Sequence, residues 1–227
     1  FSFRLNFLQR EPKPEREALT PQQQAALLDF MDTDAYCRRY RDLFIVLLHT
    51  GLRAGECAGL TIEDIHLHGG YLQVDHQVYY SQEQGGMVWA PPKTEKSCRK
   101  IPLPAPAMEA LQRRITAVRA AGRCEVIGHR RHFLFPCYHG SRPLHGVDFD
   151  RIFRNVHRRY RQSDGPPIPA LTPHILRHSY CTGLVHRGLD VKSVQYLMGH
   201  ASAGITLDIY SHVKYADVRE KLLDLAS

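Results

Sequence analysis

Residues 171–180, LTPHILRHSY, predict the start of a helix with a histidine and an arginine on one face. Thr172 suits the N-cap and Pro173 the first helical position, so His174 and Arg177 lie one turn apart. A cationic pair at a helix N-terminus, where the backbone dipole also favours anions, is a candidate anion site. A solvated helix edge explains this stretch alone equally well, so the choice depends on the rest of the chain.

The charge of the chain favours a polyanionic partner. The 227 residues carry a net charge of +7, and residues 96–161 hold 15 Lys and Arg against 4 Asp and Glu. No basic amphipathic helix carries the Trp and Phe face that a lipid surface requires. The charge therefore predicts nucleic acid rather than a membrane as the partner.

The composition predicts a globular, cytoplasmic protein. Hydrophobic residues make up 43% of the chain, but no apolar run reaches transmembrane length and the first 17 residues lack the features of a secretory signal. The six cysteines form no C-x-x-C pair, so we expect reduced thiols. A further set of Cys and His residues has the spacing of no zinc module, so we expect no metal there: Cys124, His129, His132, Cys137 and His139.

Helical patterns on both sides of a strand-like middle predict a mainly α fold with a small antiparallel β-sheet on one edge. Thr20, Pro21 and Gln23 form a capping box that starts one helix, and a second helix ends at Gly51. The alternation in residues 71–80 predicts a strand, and residues 87–103 predict two strands joined by a polar turn. Further helices are predicted over residues 105–122, 146–162, 172–188, 190–199 and 215–226.

The helix predicted over residues 146–162 carries two stripes. Its apolar stripe is expected in the core and consists of Phe149, Ile152, Phe153, Val156 and Tyr160. Its basic stripe is either a solvated face or a surface that follows DNA phosphates, and consists of Arg151, Arg154, Arg158 and Arg161.

Several basic residues occur where predicted elements end. Arg53 follows the Gly51 helix stop, Lys93 lies in the polar turn between the two middle strands, and His200 follows the glycine of LMGH. Tyr210 closes the segment ITLDIY. Side chains at element ends can converge where the backbone turns, which suits an anion site.

The order of these residues resembles the tyrosine recombinase (phage integrase) family. Its catalytic domain carries Arg, Lys, His-x-x-Arg, His or Trp, and Tyr in that order, and the segments TGLRAGE, LRHSYCT, LMGHAS and DIYSHV are similar to the family's boxes. REALTPQQ and the segment from VDHQVYYSQ to PPKTEKSCRKIPL further resemble integrases of conjugative transposons. The matching residues are Arg53, Lys93, His174, Arg177, His200 and Tyr210.

The resemblance implies cleavage of a DNA phosphodiester by a tyrosine. Fixed guanidinium groups stabilise negative charge on the non-bridging oxygens, which is the role implied for Arg53 and Arg177. A tyrosine hydroxyl, with an ordinary pKa of about 10, needs a base or a strongly positive site to attack at neutral pH. Tyr210 is the implied nucleophile and His174 the group that takes its proton.

The leaving 5′ oxygen needs a positioned proton donor. The resemblance gives this role to Lys93, with Lys96 three residues on as the competing lysine, and makes His200 a hydrogen-bond donor to the phosphate. A helix C-cap is the structural alternative for His200. Glu56 is expected to brace the loop that carries Arg53. The covalent phosphotyrosine conserves the bond energy, so we expect no cofactor.

We expect double-stranded DNA as the partner and a tetramer as the working assembly. The residues expected to contact DNA are Lys96, Arg99, Arg151, Arg154 and Arg158. Residues 1–18 are expected to be a linker from a missing upstream DNA-binding domain, residues 19–210 the catalytic domain and residues 211–227 a tail helix. The tail either docks on a neighbouring protomer, as the resemblance implies, or folds back on its own domain. A nicking-closing enzyme similar to type IB topoisomerases and a non-catalytic DNA-binding regulator remain the alternative functions.

Overall fold

The computed structural model describes residues 18–92, 97–122, 125–138 and 140–200. Within them a mainly helical fold carries two small antiparallel sheets, which confirms the predicted fold class. The helices are α1 (Pro21–Thr33), α2 (Arg41–Thr50), α3 (Ala54–Gly59), α4 (Ala105–Ala121), α5 (Gly146–Tyr160), α6 (Pro173–His186) and α7 (Val191–Met198). The strands are β1 (Ile65–His66), β2 (Tyr71–Val74), β3 (Gln77–Ser81), β4 (Gly86–Ala90) and β5 (Arg99–Pro102). Residues 1–17 of the predicted linker and the whole predicted tail helix lie outside the described residues.

Helix α2 forms the centre of the hydrophobic core. Residues 43–48 are all buried, because α4 and α6 pack against α2 and α5 adds a further contact. Phe44 of α2 stacks on Phe153 of α5 with 4.5 Å between the ring centroids. A helix that is apolar on all sides needs such enclosure.

The helix caps predicted at Thr20, Gly51 and Thr172 are confirmed. Thr20 Oγ1 accepts a hydrogen bond from the Gln23 amide (3.2 Å), and Gln23 Oε1 accepts one from the Thr20 amide (2.8 Å). Thr172 caps α6 by accepting a hydrogen bond from the Ile175 amide (3.1 Å). Gly51 ends α2 with a φ of +61°, a left-handed conformation that glycine adopts without strain.

The single strand predicted over residues 71–80 is wrong, because two strands of different sheets occupy it. The break falls at Asp75 and His76. His76 is buried, with Nδ1 2.6 Å from Asp75 Oδ1 and Nε2 2.8 Å from the carbonyl oxygen of Gly59. This contact with the end of α3 turns the chain out of the first sheet, and an alternating pattern does not reveal such a long-range contact.

The strands predicted within residues 87–103 are present as β4 and β5, but the prediction that a turn joins them directly is wrong. β4 pairs with β3 from Gln77↔Ala90 to Ser81↔Gly86, whereas β5 pairs with β2. The segment between β4 and β5 therefore connects two sheets, and its residues 93–96, including Lys93 and Lys96, lie outside the described residues. Helix α3 and strand β1 were not predicted, because both are short.

The two stripes of α5 separate as predicted. The five apolar residues are buried and the four arginines of the basic stripe are exposed. None of the described helices combines the length and the apolar character that a membrane span requires.

Candidate active site

Arg53 is the N-cap residue of α3 and follows the sharp turn at Gly51. A Cβ on Gly51 would lie 2.4 Å from Cδ1 of Tyr180 in α6, so the glycine allows α6 to approach this turn closely. The turn thus brings the end of α2, the start of α3 and one face of α6 together. Sequence reasoning identified Gly51 as a helix stop but not as a packing contact.

Glu56 holds Arg53 by two hydrogen bonds, as expected from the sequence. Glu56 Oε2 accepts one from the Arg53 amide (2.8 Å) and Oε1 accepts one from Arg53 Nη1 (2.7 Å). The Arg53 side chain remains 39% exposed, whereas that of Glu56 is buried. The guanidinium group is therefore fixed at the edge of solvent, where a ligand can reach it.

Arg177 lies one turn into α6 and is buried. Its Nη1 donates to the carbonyl oxygen of Gly51 and its Nη2 to that of Met198. Burial and the neighbouring Arg53 charge lower the pKa of Arg177 to about 9, so the group stays cationic at neutral pH. The predicted pair of Arg53 and Arg177 thus converges on one place in the structure.

The last three carbonyl groups before His200 each accept a hydrogen bond from a different arginine. Arg99 Nε donates to Leu197 (2.8 Å), Arg177 donates to Met198, and Arg53 Nη2 donates to Gly199 (2.6 Å). Carbonyl groups at a helix C-terminus lack partners within the helix and carry partial negative charge, so cations bind there favourably.

Gly199 makes this arrangement possible. It has a φ of +57°, and a Cβ on it would lie 2.9 Å from Nη1 of Arg99 and 3.4 Å from Nη1 of Arg53. A larger residue would be strained in this conformation and would displace the Arg99 guanidinium. The motif LMGH therefore needs its glycine for the close approach of the arginines as well as for the helix end.

His200 follows directly and is buried at the same corner. Burial, together with the charges of Arg177, Arg53, Arg99 and His174, lowers the pKa of His200 to about 4. The imidazole is therefore neutral at pH 7 and carries one N–H. His174 is exposed near the start of α6, one turn before Arg177, and its charge contributes to the lowered pKa of His200.

The prediction that Arg99 contacts DNA needs correction. Its side chain is 0% exposed and binds Glu56 through Nη1 (3.0 Å to Oε1) and Nη2 (2.9 Å to Oε2). A guanidinium enclosed in this way cannot reach a DNA phosphate. Arg99 shares the buried face of β5 with Ile101, two residues further along the strand.

The four charged groups at this corner leave an excess of positive charge. Burial raises the pKa of Glu56, but the hydrogen bonds and charges of Arg99 and Arg53 lower it more, to about 2. One carboxylate therefore faces three cationic side chains, those of Arg53, Arg99 and Arg177. The site therefore has an excess of two positive charges, which attracts an anion.

The other predicted site residues are not brought into this site by the described part of the chain. Lys93, Lys96 and Tyr210 lie outside the described residues, so their roles stay predictions. Arg151, Arg154 and Arg158 lie on the exposed face of α5, where Arg151 pairs with Asp148 (3.0 Å) and Arg158 contacts Asn155 (3.4 Å).

A separate group of possible metal ligands lies at the β2–β3 break. Donor atoms of Asp64, Asp75 and His76 lie within 4.8 Å of one another. Arg130 donates to both carboxylates, at 3.2 Å to Asp64 Oδ1 and 3.3 Å to Asp75 Oδ1. This guanidinium supplies the positive charge that the two carboxylates need. The expected absence of a metal stays a prediction.

Several known proteins are similar to this chain in sequence. The model of the phage integrase family matches residues 17–217. The transposase of transposon Tn916 from Enterococcus faecalis is 30% identical over 215 residues, which are 95% of this chain and 52% of the transposase. Tyrosine recombinase XerD from Halalkalibacterium halodurans is 32% identical over 206 residues, which are 90% of this chain and 60% of XerD.

A solved structure extends the similarity to three dimensions. The Tn1549 transposon integrase in complex with transposon right end DNA has a TM-score of 0.86 and 30% identity, over 99% of this chain and 71% of that chain. The chain spans about half of the Tn916 transposase. The matches to the family model and to these relatives cover almost all of the described residues, and the chain therefore belongs to the phage integrase family.

Proposed function

We propose that this chain is the catalytic part of a site-specific DNA recombinase that cleaves and rejoins DNA through a 3′-phosphotyrosine. One observation carries the proposal: Arg53, Arg177 and His200, which are distant in sequence, meet at the end of α7 with His174 nearby. Two cations and a neutral N–H donor around one point suit a phosphate that gains negative charge in the transition state.

The proposed step transfers a phosphoryl group between two oxygens. The Tyr210 oxygen attacks phosphorus and its proton passes to His174, while the bond from phosphorus to the 5′ oxygen breaks and that oxygen takes a proton from Lys93. Arg53 and Arg177 bind the non-bridging oxygens, and His200 donates its N–H to one of them. Attack by a 5′ hydroxyl reverses each transfer and rejoins DNA, so the step consumes no nucleotide.

We further propose double-stranded DNA as the substrate and a tetramer as the active assembly, with the tail helix of residues 211–227 docked on a neighbouring protomer. The Tn1549 integrase, solved with transposon DNA, supports both DNA as the substrate and a conjugative transposon as the source. The catalytic domain would span residues 19–210 and act in the cytoplasm. Exposed arginines of α5 would add contacts to phosphates.

A suicide substrate tests the proposal. DNA with a nick next to the cleavage site loses a short 5′-hydroxyl strand after attack, so the covalent adduct accumulates. We expect the parent chain to form an adduct that resists denaturation, and Tyr210→Phe to bind DNA with unchanged affinity but form none.

If Tyr210→Phe still formed an adduct, another tyrosine would have to be the nucleophile, and Tyr215 would be tested next. DNA binding without adduct in the parent chain would contradict the proposal and favour a regulator. Relaxation of supercoiled DNA without joining of two sites would favour the topoisomerase-like alternative.

A further inference from the structure

Arg99 is a fully buried cation that binds only protein groups in the described part of the chain. Its Nε donates to the Leu197 carbonyl oxygen (2.8 Å), and its Nη1 and Nη2 bind the two carboxylate oxygens of Glu56. Nη1 also donates to the carbonyl oxygen of Ser97 (3.2 Å), close to the segment that carries Lys93. One side chain on β5 thus joins α3, the end of α7 and the chain that follows the predicted catalytic lysine.

We propose that Arg99 is a positioning residue for the strand-transfer reaction. It places the Arg53 guanidinium through Glu56 and places His200 through the last turn of α7, without contact with DNA. The inference rests on the proposed function, because it names a residue that prepares the same site for phosphate.

The connection to Arg53 depends on Glu56, whose carboxylate accepts hydrogen bonds from both Arg53 and Arg99. Both Glu56 oxygens bind Arg99, and each also accepts one hydrogen bond from Arg53, through Nη1 or the backbone amide. Without Arg99, Arg53 would be the one cationic side chain that still hydrogen-bonds this buried carboxylate among the contacts described. The pair would tighten, and Arg53 would stabilise the charge on a phosphate less effectively.

The connection to His200 depends on the backbone. Arg99, Arg177 and Arg53 bind the carbonyl groups of residues 197, 198 and 199 in turn. The three guanidinium groups therefore fix the end of α7 that leads into His200. Loss of the first of these contacts would free the Leu197 carbonyl and allow the following residues to shift. Displacements of about 1 Å at such a site can slow a reaction about 100-fold.

Packing alone does not explain a charge at this position. The neighbouring position on the same face of β5 is the buried Ile101, and an unbranched apolar side chain could fill the space of Arg99. Buried ion pairs are weak evidence for stability, because desolvation costs as much as or more than the pairing contributes. A forked group that reaches Glu56 and Leu197 together is instead what the geometry of the site requires.

The test compares Arg99→Met and Arg99→Lys with a matched control, Arg113→Met. Met keeps an unbranched apolar stem, and Lys keeps the charge but lacks the fork. Arg113 is also ion-paired, with Asp42 (2.7 Å), but its side chain is 51% exposed and belongs to α4. The rate of adduct formation is measured in a single turnover at saturating nicked DNA, together with DNA affinity and the melting temperature.

We expect Arg99→Met to form adduct about 100-fold more slowly and Arg99→Lys about 10-fold more slowly, with DNA affinity within about 3-fold of the parent. Arg113→Met should react at the parent rate. Because Arg99 acts partly through Arg53 and partly through His200, Arg99→Met should slow an Arg53→Ala chain clearly less than it slows the parent, by about 10-fold.

A methylphosphonate at the cleaved position provides a readout that a merely structural role would not change. This group lacks the charged non-bridging oxygen, so a correctly placed Arg53 matters less and the deficits of Arg99→Met and Arg53→Ala should both shrink several-fold. Equal deficits on both substrates, additive effects with Arg53→Ala, or a parent rate in Arg99→Lys would overturn the inference.

Three further outcomes bear on the inference. If Arg99→Met fails to fold, the folded Arg99→Lys chain still has to show the slower rate and its recovery on methylphosphonate DNA. Absence of adduct from the parent chain would refute the proposed function, and this inference with it. Adduct from the parent with unchanged Arg99 variants would refute this inference alone.

Discussion

The arginines around the end of α7 and the arginines on the outer face of α5 differ in what their guanidinium groups bind. Arg99 and Arg177 are buried against backbone carbonyl groups, and Arg99 also binds a carboxylate. Arg151, by contrast, is 61% exposed and has one carboxylate partner. The same residue type therefore serves two purposes: enclosed guanidinium groups have a defined position, and exposed ones provide a positive surface.

The difference has consequences for binding and for catalysis. Exposed cations bind phosphates at positions that adapt to the DNA, so they contribute affinity that depends on salt and little on sequence. Enclosed cations keep their geometry without reorganisation when charge develops on a phosphate. We therefore expect substitutions at the α7 corner to change the rate of cleavage and substitutions on α5 to change affinity.

The largest effect is expected for Arg177→Ala. The change removes a buried cation and leaves the carbonyl groups of Gly51 and Met198 without this donor, so unfolding should become easier by about 2–4 kcal/mol. Adduct formation should fall about 1000-fold, measured on the folded protein below its melting temperature. Arg154→Ala is the control from the exposed face, and a similar loss of rate in both variants would contradict the distinction.

The second effect concerns the two lysines between β4 and β5. Lys93→Ala should slow cleavage of ordinary DNA about 100-fold or more, because the leaving 5′ oxygen loses its proton donor. A 5′-bridging sulfur leaves without a proton and should restore the rate in this variant. Restoration in Lys96→Ala instead would assign the proton donor to Lys96.

The third effect is a pH dependence of His200. Its pKa in the folded protein, about 4, lies below the ordinary value, so the unfolded chain binds a proton first as the pH falls. Stability from the neutral imidazole is therefore present above pH 6.5 and lost towards pH 4, by about 2 kcal/mol at pH 5. Thermal melting of the parent and of His200→Gln between pH 7 and 5 checks this, and an equal loss in both chains would contradict it.

The smallest effect is expected on α5. The double variant Arg154→Gln and Arg158→Gln should weaken DNA binding several-fold at low salt and reduce the slope of log affinity against log salt by about one to two units. The rate of adduct formation at saturating DNA should stay within about 2-fold of the parent. Arg113→Gln, on α4, controls for the loss of positive charge, and an unchanged slope in the α5 variant would remove α5 from the DNA-binding surface.

Local patterns were sufficient to predict most helices of the described chain. The capping box of Thr20 and Gln23, the stop at Gly51 and the cap at Thr172 involve groups at most a few residues apart, so their geometry follows from the sequence near them. The apolar stripe of α5 repeats with the helical period, and its burial followed in the same way. These elements would look alike in many folds.

The sheet depended on contacts between distant residues. An alternating pattern predicts a strand but does not name its partner, so the pairing of β5 with β2 and the break at His76 could not be predicted. The break depends on a hydrogen bond to Gly59, 17 residues earlier in the chain. The same limit explains why the sequence predicts a turn between two paired strands for the segment that carries Lys93.

The order of Arg53, His174, Arg177 and His200 in the sequence predicts that these side chains belong to one site. The tertiary structure alone decided that Arg99 belongs inside, because its burial depends on Glu56, 43 residues away, and on Leu197, 98 residues away. A charged residue in a strand is ordinarily solvated, and only a partner at the right distance offsets its desolvation. The sequence determined which groups this protein has for binding a phosphate, and the folding of α7 against α3 and β5 determined which of them point towards it.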